Sequence, residues 1–135
     1  MILGFCGRKD FSKVEALRNV QQEYHTQDPV NFPRTSRQAY FMDPAELLTL
    51  QKKLRAKEEE MRVIYHSHID APAYFSEEDR RMALSEGLPV YPGVDYLVVS
   101  VAQRYVREAC LYRWSAEKKD FVMIQTIPGL KNAGD

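Results

Sequence analysis

Between residues 43 and 101 the sequence alternates helix, strand, helix and strand, and this order constrains the fold more than any other feature. The first helix is predicted in "DPAELLTLQKKLRAKEEE", where Asp43 is a good N-cap, Pro44 suits the first helical position and Glu46 completes a capping box. Leucines recur on one face of this helix at helical spacing. The apolar strand "MRVIYHSH" follows it directly.

The second half of the chain predicts one more helix and three strands. The helix begins at Ser76, runs through "EEDRRMALSE" and ends at Gly87, a natural C-cap. "VDYLVVSV" is nearly continuous in apolar residues, which is typical of a central strand covered on both faces. "YVREACLYRW" and "KDFVMIQTI" alternate apolar and polar residues and predict a hairpin.

The first 38 residues predict two strands and a loop. "MILGFCG" and "FSKVEALRNV" are expected to pair, while the polar, proline-containing stretch "QQEYHTQDPVNFPRTSRQ" is interpreted as an exposed loop. The predicted fold class is therefore α/β: a single domain over residues 1–135 with a mixed twisted β-sheet flanked by helices.

Composition excludes several classes of function. Lys and Arg together number 19, as do Asp and Glu, and this zero net charge argues against binding to nucleic acid. The longest apolar runs are too short to span a membrane. Cys6 and Cys110 lie far apart and lack metal-binding spacing, which favours buried thiols in a reducing, cytoplasmic compartment.

A metal site is one interpretation of the segment "YHSHIDAPAYFSEED". Side chains alternate along a strand, so His66 and His68 point to the same side, and Asp79 stands in the first turn of the helix capped by Ser76. Two nitrogens and one oxygen suit Zn²⁺ and leave a fourth position for water. The alternative is two surface histidines followed by an ordinary helix cap, and the residues alone leave both open.

The same segment resembles the zinc motif of the JAMM metallopeptidases, the MPN-domain family. That motif is H-x-H, ten residues, then D, with a serine three positions before the aspartate, and His66, His68, Ser76 and Asp79 match it. The flanking strands and the "RNV" segment are also similar, so the likeness covers nearly the whole chain. It implies a JAMM/MPN fold of the cytidine-deaminase-like type with a Zn²⁺ cofactor.

The resemblance also implies a reaction. Stand-alone prokaryotic members, which this chain resembles most, are peptidases or isopeptidases linked to ubiquitin-like sulphur-carrier proteins, and they cut after the carrier's C-terminal Gly-Gly. In this family Zn²⁺ polarises the scissile carbonyl, and the serine, here Ser76, helps to hold the oxyanion. Capping alone would equally explain Ser76. Two alternatives are a non-catalytic MPN-type scaffold and a zinc amidase that acts on small molecules.

One element of the family pattern is not found in the sequence. The general-base glutamate of the family precedes the first strand, and here that strand starts at Met1. We therefore expect an N-terminally truncated domain that binds zinc but hydrolyses slowly, since loss of general acid–base catalysis costs about 10²–10⁴-fold in rate. The apolar surface left by the absent helix would favour self-association, for example as a homodimer.

Three further residues near the motif are candidates for the site. Tyr74 and Phe75 lie between His68 and Ser76, and they could line the path of an extended Gly-Gly tail or close a loop over the core. Ser100, on the strand "VDYLVVSV", could orient a metal ligand through a hydrogen bond.

Overall fold

The structure of the chain is a computed structural model that describes residues 3–6, 14–36 and 39–129. It divides into two units, residues 1–66 and residues 67–135. Unit 1 contains two strands, two helices and the start of a third strand: β1 (Leu3–Cys6), β2 (Val14–Leu17), α1 (Gln21–Gln27), α2 (Pro44–Ala56) and β3 (Val63–Ile69). Unit 2 contains the end of β3, then α3 (Glu77–Ala83), β4 (Leu84–Ser85), β5 (Leu88–Pro89), β6 (Asp95–Ala102), β7 (Tyr105–Ser115) and β8 (Asp120–Pro128).

In unit 1, β1 lies between β2 and β3 and runs antiparallel to both. The predicted pairing of the first two strands is confirmed. Helix α2 begins as predicted, with the Asp43 carboxylate accepting a hydrogen bond from Ala45 N at 3.0 Å. Its apolar face is confirmed as well, because Leu50 and Leu54 are buried in one cluster.

The predicted capping box at the start of α2 is wrong. The backbone N–H of Asp43 donates to the carbonyl of Arg18, so it is not available to Glu46. The Glu46 carboxylate instead accepts a hydrogen bond from Arg18 N at 2.8 Å. Both contacts connect the helix start to the segment that follows β2.

The predicted loop between β2 and α2 contains the short helix α1. The side-chain oxygen of Asn19 accepts hydrogen bonds from Gln21 N and Phe41 N, both at 3.0 Å, and so connects the two ends of the segment. Inside it, the Tyr24 ring stacks on Phe32 at 4.9 Å and meets Phe41 edge-on at 5.1 Å. These aromatic contacts stabilise an ordered segment, which the polar composition of the sequence did not predict.

In unit 2 the strand order is β3-β6-β7-β8, with β6–β7 and β7–β8 antiparallel. The predicted hairpin of β7 and β8 is confirmed. Strand β6 is also confirmed, but its coverage on both faces is wrong. Tyr96 and Val98 are buried, while Leu97 and Val99, on the opposite face, are partly exposed.

Helix α3 starts after Ser76 as predicted but ends at Ala83, before the predicted end at Gly87. Leu84 is extended and begins a two-stranded pair with β5, and the Ala83 carbonyl accepts a hydrogen bond from Val90 N at 2.9 Å. Gly87 occupies the turn between β4 and β5 with φ of +79°, a conformation that glycine adopts easily. The glycine therefore marks a hairpin turn rather than a helix end.

These elements confirm the predicted α/β class, in which helices accompany a twisted mixed sheet. The assignment of residues 1–135 to a single truncated domain remains a prediction. Cys110 is buried as expected, whereas the side chain of Cys6 lies outside the described residues. In the described part of the chain, no helix combines the length and apolar character needed to cross a membrane.

Candidate metal centre

Strand β3 holds the two histidines in the interior of the protein. His66 is 0% exposed and His68 is 9% exposed, and the alternation of the strand places them on the same face. Ser67 between them is buried as well. Imidazoles are seldom buried this deeply without a specific partner, so each ring is expected to have one.

The His66 ring lies against an aromatic ring of unit 1. Its centroid is 4.5 Å from that of Tyr40, and the two planes are inclined by 31°. Tyr40 is itself 3% exposed. This packing restricts rotation of the imidazole and therefore fixes the direction of its ring nitrogens. The sequence patterns did not single out Tyr40, because it is distant along the chain and lies in no motif.

His68 is held by both of its ring nitrogens. Nδ1 lies 3.1 Å from the carbonyl oxygen of Pro72, and Nε2 lies 3.1 Å from Oδ2 of Asp79. Burial lowers the pKa of His68, but the hydrogen bond and negative charge of Asp79, aided by the Pro72 carbonyl, outweigh it and raise the pKa above its usual value. Because a carbonyl can only accept, Nδ1 carries a proton, and Nε2 is the nitrogen that a metal would use.

Asp79 is fixed by the start of helix α3. The Ser76 hydroxyl accepts a hydrogen bond from Asp79 N, and Asp79 Oδ2 accepts one from Ser76 N, each at 3.0 Å. This reciprocal capping box confirms the predicted cap. Asp79 is 3% exposed, so the box holds a buried carboxylate facing His68.

The three side chains form one group. Each offers one ligand atom, and these atoms of His66, His68 and Asp79 all lie within 4.8 Å of one another. Two imidazole nitrogens and a carboxylate oxygen are donors that Zn²⁺ accepts, and a set of three leaves room for a further ligand. The hydrogen bond from Nδ1 of His68 to a carbonyl is the arrangement usual behind a metal-bound histidine. The residues present therefore fit a divalent metal such as zinc.

The two aromatic candidates differ in their surroundings. Tyr74 is 52% exposed, and its ring meets His68 edge-on at 5.1 Å. Phe75 packs among the rings of Tyr96, Tyr112 and Phe121. Phe75 thus closes the loop over the core, which was the alternative to a substrate contact, while Tyr74 lies open beside the site. Substrate binding by either residue remains a prediction.

The comparison with known protein families supports the resemblance that the metal-site motif indicated. Residues 6–115 match the family described as prokaryotic homologs of the JAB domain. The chain belongs to the prokaryotic JAB-domain family. The resemblance to stand-alone prokaryotic JAB/MPN proteins, first indicated by the histidine–aspartate motif, is thereby confirmed.

A solved structure shares the fold of this JAB domain. The solution structure of a protein from Salinibacter ruber (strain DSM 13855) has a TM-score of 0.54 and 18% sequence identity, over 95% of this chain and 77% of the other. At this identity the likeness concerns the fold alone. A search among curated proteins found no match.

The motif correctly predicted that the three metal-binding candidates of the JAB domain lie close together. The Ser100 hydroxyl donates to the carbonyl of Ala71, and its role in orienting a metal ligand remains a prediction. The contact between His68 and the Pro72 carbonyl was missed. A proline four residues after a histidine carries no recognisable signal, because the contact depends on how the loop turns back.

Proposed function

We propose that this JAB domain is a zinc-dependent hydrolase that cleaves the amide bond after the C-terminal Gly-Gly of a ubiquitin-like sulphur-carrier protein or of its adduct. The observation that supports it most is the buried group of His66, His68 and Asp79, whose ligand atoms lie within 4.8 Å of one another. Membership of the JAB family, some of whose members are hydrolases, supports the same reaction type.

Each metal-binding residue is oriented by a neighbour. The Pro72 carbonyl turns the Nε2 of His68 toward Asp79, and the Ser76 backbone N–H holds the Asp79 carboxylate. When bound there, Zn²⁺ would supply Lewis acidity, which polarises a carbonyl and lowers the pKa of water to about 7. The protein supplies a prearranged set of donors and excludes bulk solvent around them.

Ser76 can combine capping with catalysis. Its oxygen accepts the hydrogen bond from Asp79 N, and this leaves the hydroxyl hydrogen able to donate elsewhere. A serine hydroxyl beside the metal ligands can therefore donate to the negative charge that develops on the carbonyl oxygen during amide hydrolysis. The cap fixes the oxygen in position, so the donor is oriented before the substrate arrives.

The exposed ring of Tyr74 suits an extended glycine tail. It meets the ring of the metal-binding candidate His68 edge-on and leaves half of its surface to solvent. Glycine residues have no side chains, so a Gly-Gly tail can pass closer to an aromatic ring than other sequences can. A preference for glycine on the carrier side of the cleaved bond follows from this arrangement.

A cleavage assay with a defined isopeptide tests the proposal. The substrate is a ubiquitin-like carrier whose C-terminal Gly-Gly is joined to the lysine side chain of a reporter peptide, and release is measured by mass spectrometry. The chain is used at high concentration over hours, so that even a small amount of cleavage is detected. We expect cleavage that requires zinc, stops with EDTA and is lost in His66→Ala. His25→Ala is the matched control, because His25 lies on α1 and contacts the Phe32 carbonyl instead.

The other outcomes distinguish the alternatives. Cleavage that survives in both His66→Ala and Asp79→Asn would exclude a reaction at this metal centre. Zinc binding with every amide left intact would favour the non-catalytic scaffold. Cleavage of small amides with the carrier adduct untouched would favour a small-molecule amidase.

A further inference from the structure

Two side chains of the sheet bind the loop that lies between the metal-binding candidates His68 and Asp79. The loop spans residues 70–76, between β3 and α3. Ser100 of β6 donates its hydroxyl to the carbonyl of Ala71 at 2.5 Å, and Tyr112 of β7 donates its hydroxyl to the carbonyl of Ala73 at 2.6 Å. Both donors are neutral, and both acceptors are backbone atoms.

The peptide between these two anchors is the one that orients His68. The Pro72 carbonyl lies between the carbonyls of Ala71 and Ala73 in the chain, and it accepts the hydrogen bond from Nδ1 of His68. Three successive carbonyls are therefore bound by three side chains. A carbonyl fixed on both sides cannot turn away from the imidazole without breaking one of the neighbouring hydrogen bonds.

A third sheet residue binds the same loop. Ser100 and Glu108 are directly opposite each other on β6 and β7, and Oε1 of Glu108 accepts a hydrogen bond from Ala73 N at 3.3 Å. The backbone N–H and the carbonyl of Ala73 thus both have partners on the sheet, since Tyr112 donates to the carbonyl. The contacts come from two paired strands, which gives the loop a rigid support.

Burial favours hydrogen-bond donation by the hydroxyl groups of Ser100 and Tyr112. Ser100 is 6% exposed, so solvent does not compete effectively for its hydroxyl. Burial, together with neighbouring groups including Cys110, raises the pKa of Tyr112 to about 12, so its hydroxyl keeps its proton at neutral pH. The Tyr112 ring has a separate packing role against Phe75, at 5.3 Å.

We infer that Ser100 and Tyr112 are positioning residues for the metal centre: they act through the Pro72 carbonyl to set the orientation and tautomer of His68. This inference rests on the proposed metal-binding function of His66, His68 and Asp79. Neither positioning residue belongs to the group of metal-binding candidates. They fix the orientation of the His68 ring and therefore the direction of its Nε2 atom. A change in this direction alters the metal affinity and the coordination geometry.

Tyr112→Phe is the sharpest test, because it removes the hydroxyl and keeps the ring that packs on Phe75. Tyr96→Phe is its matched control. Tyr96 is buried in the same aromatic cluster, and within the described residues its hydroxyl makes no hydrogen bond to the loop. Co²⁺ is used as the probe, with affinity from competition with a chelator and geometry from the visible absorption spectrum.

We expect Tyr112→Phe to weaken Co²⁺ binding roughly tenfold and to change the visible spectrum, since partners behind a metal-binding histidine typically contribute about 10–100-fold to affinity. Ser100→Ala should act in the same direction, and Tyr96→Phe should match the wild type. Thermal unfolding of the metal-free proteins checks that each variant is folded.

Two results would overturn the inference in different ways. If the wild type binds Co²⁺ and both Tyr112→Phe and Ser100→Ala keep its affinity and spectrum, the positioning role is wrong while the proposed function stands. If the wild type binds no Co²⁺ or Zn²⁺, the proposed function fails and the positioning role fails with it.

Discussion

Replacing Asp79 with alanine should destabilise the protein even when no metal is present. Asp79 Oδ2 accepts a hydrogen bond from Ser76 N and also faces Nε2 of His68 at 3.1 Å. Asp79→Ala removes both contacts at once. Because the side chain is buried, water cannot easily replace the lost acceptor.

The magnitude follows from these two losses. Removal of a capping interaction costs about 1 kcal/mol of the free energy of unfolding. Leaving a buried polar group such as the His68 ring nitrogen without its acceptor costs about 1–3 kcal/mol more. We therefore expect Asp79→Ala to lower the free energy of unfolding by about 2–4 kcal/mol. Asp79→Asn keeps an oxygen that can accept a hydrogen bond from Ser76 N, so it should lower the free energy of unfolding by less than Asp79→Ala does.

Urea unfolding in EDTA measures the effect. Trp114 is the only tryptophan, and it packs edge-on against Phe121 in the same unit as Asp79, so its fluorescence follows the relevant part of the fold. With a urea dependence of about 1–3 kcal/mol per molar, a loss of about 3 kcal/mol moves the midpoint by about 1–3 M. Arg107→Ala is a control, because Arg107 is an exposed residue whose side chain contacts Gln103.

The pH dependence provides a second check on the same variant. The pKa of His68 is raised in the folded protein, so its interaction with Asp79 is fully present below the unfolded pKa of about 6.5 and is lost as the pH rises through the folded value. The difference between wild type and Asp79→Ala should therefore be larger near pH 5.5 than near pH 8.5. Coincident midpoints, or a difference that grows with pH, would refute the reasoning.

Three further outcomes are expected. In the presence of zinc at about 100 times its Kd, the wild type should gain about 2.7 kcal/mol of stability in urea and His66→Ala should gain none, since one of three ligands is missing. Zinc affinity should fall as the pH is lowered through the raised pKa of His68, because a proton competes for the ring nitrogen; a chelator competition that gave the same affinity at each pH would contradict this. Ser76→Ala should cost about 1 kcal/mol of stability and Ser76→Thr much less, because threonine can also cap the helix, and equal unfolding midpoints for the two would argue against the cap.

Much of this fold was predictable because its signals are local. The start of α2 depends on Asp43 and Pro44, and the cap of α3 depends on Ser76 and Asp79, all of which are adjacent in sequence. The alternation that places His66 and His68 on one face is a property of a single strand. The metal-binding group joins this strand to the start of the next helix, so a fixed spacing in the sequence could indicate it.

The features that were missed depend on distant partners. Helix α1 is polar in sequence and is stabilised by Asn19, which binds backbone N–H groups at both ends of the segment. Helix α3 stops early because Ala83 accepts a hydrogen bond from Val90 N in a following strand pair. The contact of Tyr112 with the metal-site loop spans 39 positions. No local pattern encodes such contacts, since they depend on the completed sheet.

Zinc content is the most direct test of the metal centre. The 135-residue chain and its Asp79→Ala variant are purified in parallel, loaded with excess zinc, freed of unbound metal and measured for zinc per chain by elemental analysis. We expect about one zinc per chain in the wild type, from the single group of His66, His68 and Asp79 in the described residues, and far less in the variant. Equal zinc content in the two proteins would contradict the assignment of Asp79 as a ligand, and no zinc in the wild type would contradict the metal centre itself.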